Sequence, residues 1–168
     1  MEEKAIPGKE SSQLTDFAVR KIYFAADHAG FPLKEGILSL MRRWLPEIEA
    51  IDLGTYSADS VDYPDFSFRL AETLATDREA FGVGICGSGN GICMGLNRFA
   101  HIRAIYGWNE EVVRLGRLHN DANVLCLSGW FLSIRQAFSF VKIFITTPFE
   151  GGRHTPRVRK LSERGTKI

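Results

Sequence analysis

Short apolar runs alternate along the chain with stretches whose apolar residues recur at helical spacing. Ile22–Ala26 is the first run and predicts a strand over 21–26. Leu33, Ile37, Leu40 and Met41 follow at helical spacing, with Pro32 in a first turn and Pro46 as the stop, predicting a helix to about Trp44. Residues 47–53 read as a second strand and 56–64 as a loop. Phe66, Leu70 and Leu74 mark the next helix, and Phe81–Ile85 the third strand. A helix is expected over 92–99, a fourth strand over 102–106, and a helix over 110–118 with Val113 and Leu118 inward. Residues 123–127 give a fifth strand, and 133–146 a helix built on Ile134, Ala137, Phe138, Val141 and Ile145. Pro148 and Gly151–Gly152 break the chain before a last helix of mixed charge that opens at Arg153–Arg157. Strand and helix thus alternate five times. Short strands apolar on both faces predict a five-stranded parallel sheet with helices on each side, plus an extra C-terminal helix.

Residues 1–19 are polar and aperiodic apart from Leu14–Val19, and read as a flexible extension ahead of one domain over 20–168. A formal net charge of +1 gives no electrostatic reason to expect nucleic acid or membrane. No apolar run is long enough to span a bilayer. The three cysteines, Cys86, Cys93 and Cys126, show no zinc-like spacing and need no disulfide pairing in a chain of this size, which fits a reducing, cytoplasmic setting.

Candidate chemistry gathers where strands end. Cys86-Gly87-Ser88-Gly89-Asn90-Gly91 turns the third strand into the next helix, a loop whose N–H groups can approach an oxyanion or phosphate. Asp27 and His28 follow the first strand, and the carboxyl edge of a parallel sheet brings such loops to one cleft. His119 and Asn120 precede the fifth strand, so within one chain they belong to the opposite edge. Arg153 and Arg157, four apart, suit a forked anion clamp. Each group also fits a plainer role. Asp27 can cap a helix, His28 can be structural, and His119-Asn120 can satisfy helix-end carbonyls. The arginines can form a solvated face, and the glycine loop can be a tight turn around a buried thiol.

Taken together, the motifs resemble the type B ribose-5-phosphate isomerases, a family that includes galactose-6-phosphate isomerase subunits. Asp27-His28-Ala29-Gly30, Asp52-Leu53-Gly54-Thr55, Asp62-Tyr63-Pro64, Cys86-Gly87-Ser88-Gly89-Asn90-Gly91, Asn97-Arg98-Phe99-Ala100, Ile102-Arg103-Ala104, His119-Asn120-Asp121-Ala122-Asn123 and Glu150-Gly151-Gly152-Arg153-His154 carry the resemblance in order, from about Lys21 to Leu161. It implies a three-layer, Rossmann-like or flavodoxin-like sandwich. It also implies interconversion of ribose 5-phosphate and ribulose 5-phosphate through an enediolate, without cofactor or metal. Cys86 would be the base, His119 the acid that aids ring opening, and Ser88 with the N–H groups of Gly87, Gly89, Asn90 and Gly91 the oxyanion cradle. Asp27, His28, Tyr63 and Asn120 would bind the sugar, and Arg153 and Arg157 the phosphate. The family is dimeric or tetrameric with sites shared between subunits, which would bring His119 to the cleft from a second chain. The glycine-loop amides and helix start are expected to favour the Cys86 thiolate, with Cys93 and Cys126 in the core.

One position departs from the family. Trp130 stands where many members carry a phosphate-binding arginine. This points to weaker phosphate binding or a different preferred sugar, with Trp130 stacking on the substrate or on a neighbouring helix. Other aldoses and their phosphates, or a subunit that binds sugar phosphate without turnover, share these features. A dinucleotide site does not, since the glycine loop follows the third strand and lacks the GxGxxG order.

Overall fold

A computed structural model describes residues 17–164 of the 168-residue chain. The elements are β1 (Lys21–Ala26), α1 (Phe31–Trp44), β2 (Glu49–Asp52), α2 (Tyr63–Thr76), β3 (Phe81–Cys86), α3 (Asn90–Leu96), β4 (Ala104–Tyr106), α4 (Glu110–Asn120), β5 (Val124–Ser128) and α5 (Ile134–Thr146). A 3₁₀ turn (Gly152–His154) then leads into α6 (Thr155–Arg164). All strand pairs are parallel, in the order β2-β1-β3-β5-β4. This is the expected α/β sandwich, with six α-helices among the described residues.

The two faces of the sheet bury separate cores. Leu33, Ile37 and Met41 of α1, Val113 of α4, and Phe138, Val141 and Phe144 of α5 cover one face. Phe66, Leu70 and Leu74 of α2, with Ile92 and Leu96 of α3, cover the other. Because every strand is apolar on both sides, neither face can be left to water. The chain leaves β1 toward β2 on one side and returns to β3 on the other, so the order reverses between β1 and β3. That reversal opens a crevice at the carboxyl ends of those strands.

Several boundaries differ from the sequence reading. Within the expected extension, Phe17 packs against the core, Val19 is buried, and the Ala18 N–H donates to the Ile145 carbonyl. Residues 1–16 lie outside the described residues. The β2 and β4 strands are shorter than read, since each ends in pairing with one neighbour at a sheet edge. Helix α2 already begins at Tyr63, with Pro64 in its first turn, and α3 spans Asn90–Leu96. Arg153 lies in the 3₁₀ turn, so the two arginines do not share one α-helix.

Candidate active site

The cleft at the β1/β3 reversal has a volume of about 360 Å³ and is lined by Asp27, His28, Ala29, Tyr63, Cys86, Gly87, Ser88, Gly91 and Trp130. Asp27 is buried. Its Oδ1 accepts from the Gly30 N–H at 2.9 Å, and its own N–H donates to the Ile85 carbonyl at 3.1 Å. The carboxylate thus locks the turn after β1 while facing the cleft. Nδ1 of His28 lies 3.2 Å from the Val61 N and 3.1 Å from the Val61 O, which ties the ring to the loop before α2.

Cys86 ends β3 and is buried. Backbone N–H groups of Ile92, Gly89 and Gly91 point toward its sulfur and favour the thiolate. Burial outweighs them, and the Asp27 charge adds to burial, so the thiol is held above its ordinary value. The expected pull of the loop amides toward thiolate is present, but in the single chain the pocket removes more hydration than the amides replace. Cys126 is buried in β5 and its pKa is pushed up by burial, while Cys93 packs at the edge of the same core.

The loop after β5 is tied to the glycine loop. The Ser128 hydroxyl donates to the Gly87 carbonyl at 2.7 Å, the Gly129 N–H to the Cys86 carbonyl at 2.9 Å, and the Trp130 N–H to the Gly87 carbonyl at 3.1 Å. The Trp130 indole then forms one wall of the cleft while remaining largely exposed. Among the described residues the lining contains one carboxylate and no lysine or arginine. Among the described residues, a phosphate group placed there finds hydrogen-bond donors but no guanidinium or ammonium group.

The remaining candidates are elsewhere. His119 is in the last turn of α4, at the amino edge of the sheet, with Glu150 and His154. Asn120 lines a separate cavity with Asn97, Phe99, Arg103 and Leu161. Arg153 and Arg157 are exposed in the C-terminal segment. Gly89 and Asn90 belong to the loop without lining the cleft. A larger cavity, about 590 Å³, also lies at the amino edge, where Lys21 pairs with Asp77 and Arg103 and Arg117 pair with Asp121. Sequence reasoning singled out neither Ala29, Glu150 nor His154 as a site residue. The i, i+4 spacing of Glu150 and His154 across the double glycine was the available signal for the last two.

The sequence model of the Ribose/Galactose Isomerase family matches residues 22–161. A probable ribose-5-phosphate isomerase B of Mycoplasma pneumoniae is 39% identical over 141 residues, covering 83% of this chain and 91% of that protein. The crystal structure of a ribose 5-phosphate isomerase from Thermotoga maritima superimposes with a TM-score of 0.81 at 41% identity, covering 85% of this chain and 97% of that one. A ribose-5-phosphate isomerase B of Mycoplasma genitalium, solved with bound ribulose-5-phosphate, gives a TM-score of 0.82 at 34% identity, covering 88% of this chain and 97% of that one. With the family model spanning nearly all of the sheet and its helices, and relatives alike along almost their whole length, this chain belongs to the ribose/galactose isomerase family.

Proposed function

We propose that the protein interconverts ribose 5-phosphate and ribulose 5-phosphate in the cytoplasm, as a homodimer or homotetramer whose active sites each draw on two chains. The Cys86 thiolate takes the proton from C2 of the open-chain aldose. The electron pair moves onto the carbonyl oxygen, giving an enediolate held by Ser88 and the loop N–H groups; a proton passes from the 2-hydroxyl to that oxygen, and the Cys86 thiol returns its proton to C1 as the C2 carbonyl forms. Asp27, His28 and Tyr63 bind the sugar hydroxyls, joined by Asn120 from the second chain. His119 assists opening of the furanose ring, and Arg153 and Arg157 hold the phosphate, all reaching the cleft from the second chain.

One observation carries this reading. Among the described residues, the base and hydrogen-bond donors share a cleft lined by no lysine or arginine, while the candidate acid and guanidinium groups stand at the opposite edge of the same sheet. A closed two-fold arrangement of identical chains unites such halves in pairs.

The test is a coupled assay with ribose 5-phosphate on wild type, Cys86→Ala and Arg157→Ala, followed by refolding the two variants together. Each variant alone is expected to be impaired. A statistical mixture restores about a quarter of wild-type activity, because half of the dimers then carry one intact site. No restoration would place all the groups of a site on one chain. No turnover by wild type would move the assignment to another aldose phosphate.

A further inference from the structure

Between α5 and α6 the chain makes a reversal that only glycines adopt easily. Gly151 and Gly152 both have positive φ, at 71° and 53°. The Glu150 N–H donates to the Leu118 carbonyl at 3.0 Å, which anchors this segment under the last turn of α4. The His154 N–H donates to the Gly151 carbonyl at 3.0 Å and closes the turn. The result is a pair of imidazoles lying face to face. The His119 and His154 rings are 4.3 Å apart and 7° from parallel. Oε2 of Glu150 lies 3.5 Å from Nε2 of His119 and 3.7 Å from Nε2 of His154.

The hydrogen bonding separates the roles of the two rings. Arg153 Nε donates to Nε2 of His154 at 3.3 Å, so that nitrogen presents its lone pair and its ring proton sits on Nδ1. His154 is buried, while His119 is partly open. Burial first, then the charges of His119 and Arg153, hold the His154 pKa below the ordinary histidine value, against the opposing pull of Glu150. Glu111 on α4, Arg153 and Arg157 are further charged groups that act on the pair. With Nε2 of His154 engaged by arginine, the Glu150 carboxylate is left to face Nε2 of His119 at 3.5 Å.

These three side chains also have the composition of a cation site, with ligand atoms all within 4.8 Å of one another. Two rings in parallel planes do not aim both lone pairs at one ion, and Arg153 already occupies that of His154. The cluster is better matched to orienting a proton donor and a guanidinium.

We propose that His154 is a joint positioning residue, its ring face fixing the plane of His119 and its Nε2 fixing Arg153, and that Glu150 orients the proton of His119. This rests on the roles given above to His119 and Arg153. It adds that acid and phosphate clamp are aligned together by one buried imidazole, so that the two functions can be uncoupled by choosing what remains of that ring.

His154→Phe keeps a flat face and removes the acceptor for Arg153. It is expected to raise KM for ribose 5-phosphate by roughly tenfold with little change in kcat. Glu150→Gln is expected to lower kcat by on the order of tenfold with KM retained. On 4-deoxyribose 5-phosphate, which lacks the ring oxygen and stays open, Glu150→Gln is expected to match wild type. His154→Ala should lose both functions. A role in folding alone would move KM and kcat together and affect both substrates equally, and that result would overturn the proposal. Imidazole ¹⁵N shifts of the intact protein give a readout that needs no turnover. A lone-pair Nε2 on His154 is expected, and a protonated Nε2 overturns the proposal whatever the substrate. Absence of ribose 5-phosphate turnover in wild type would count against the assigned reaction, and the ¹⁵N result would still decide the geometry.

Discussion

Trp130 lies directly on Gly87: a Cβ added there would meet the indole ring at 2.6 Å. The glycine therefore makes room for the aromatic wall, and the wall in turn limits how a substrate approaches Cys86. An indole offers a flat apolar face and a single donor, with no charge to offset a phosphate. Trp130→Arg is expected to tighten competitive inhibition by inorganic phosphate several-fold. Trp130 is largely exposed, so stability should stay within about 0.5 kcal/mol of wild type. An unchanged inhibition constant in the variant would remove Trp130 from the account of phosphate affinity.

The thiol of Cys86 is held above its ordinary value by burial and by Asp27. The reactive form of a proton-abstracting cysteine is the thiolate, so a raised pKa means a smaller reactive fraction at neutral pH. The expected kcat/KM rises with pH through the neutral and mildly alkaline range. Asp27→Asn keeps an oxygen for the Gly30 N–H and deletes the negative charge that opposes thiolate formation. Its profile should move to lower pH, even if the maximum falls through lost sugar contacts. A shift to higher pH would show that Asp27 does not act on Cys86 through charge.

Arg157 stands exposed near the start of α6. Its assigned work is ground-state binding of phosphate, so Arg157→Ala should mainly raise KM. A bidentate, charge-assisted contact is worth about 1.5–3 kcal/mol, which corresponds to roughly 10- to 150-fold. A loss confined to kcat would instead make Arg157 a group that acts in the transition state.

Lys34 is fully buried in α1 and pairs with Asp52 at the end of β2, while Glu35 lies 3.4 Å away. Asp52 also accepts from the Gly54 N–H at 2.8 Å, which braces the loop leading to Tyr63. Removing Asp52 leaves the buried ammonium only the longer, half-exposed ion pair with Glu35. Asp52→Asn is expected to cost about 3 kcal/mol, read as a lower urea midpoint with unchanged slope. Combining it with Lys34→Met should recover more than half of the loss. A double variant no more stable than Asp52→Asn would show that the lysine is not the source of the penalty.

Lys34 also marks where the sequence stops being legible. Its helix was readable from Leu33, Ile37 and Met41, but a lysine inside that stripe reads as solvated until its partner on β2 is placed beside it. The parallel sheet and its two helical layers followed from local period alone. So did the convergence of Asp27, His28, Cys86 and Ser88, since each directly follows a strand end. The electrostatics of Cys86 did not follow. The loop amides are visible as glycines, whereas the burial that outweighs them comes from a core that Cys86 shares with Ala25, Phe66 and Ile92, assembled from separate segments. Glu150 and His154 were quoted only as parts of a motif, because their significance lies in a ring stack with His119 that spans 35 residues of sequence.

The three hydrogen bonds that join residues 128–130 to Cys86 and Gly87 have a practical consequence for redesign. Two loops far apart in sequence share one set of carbonyls, so neither can change length alone. An insertion between Ser128 and Trp130 would unseat the backbone that carries the thiol, although it never touches residues 86–91. Libraries aimed at new sugars are best built by exchanging side chains at 63 and 130 on a fixed frame. The exposed reversal at 151–152 tolerates neither plan, because its glycines set the direction in which the chain leaves the domain.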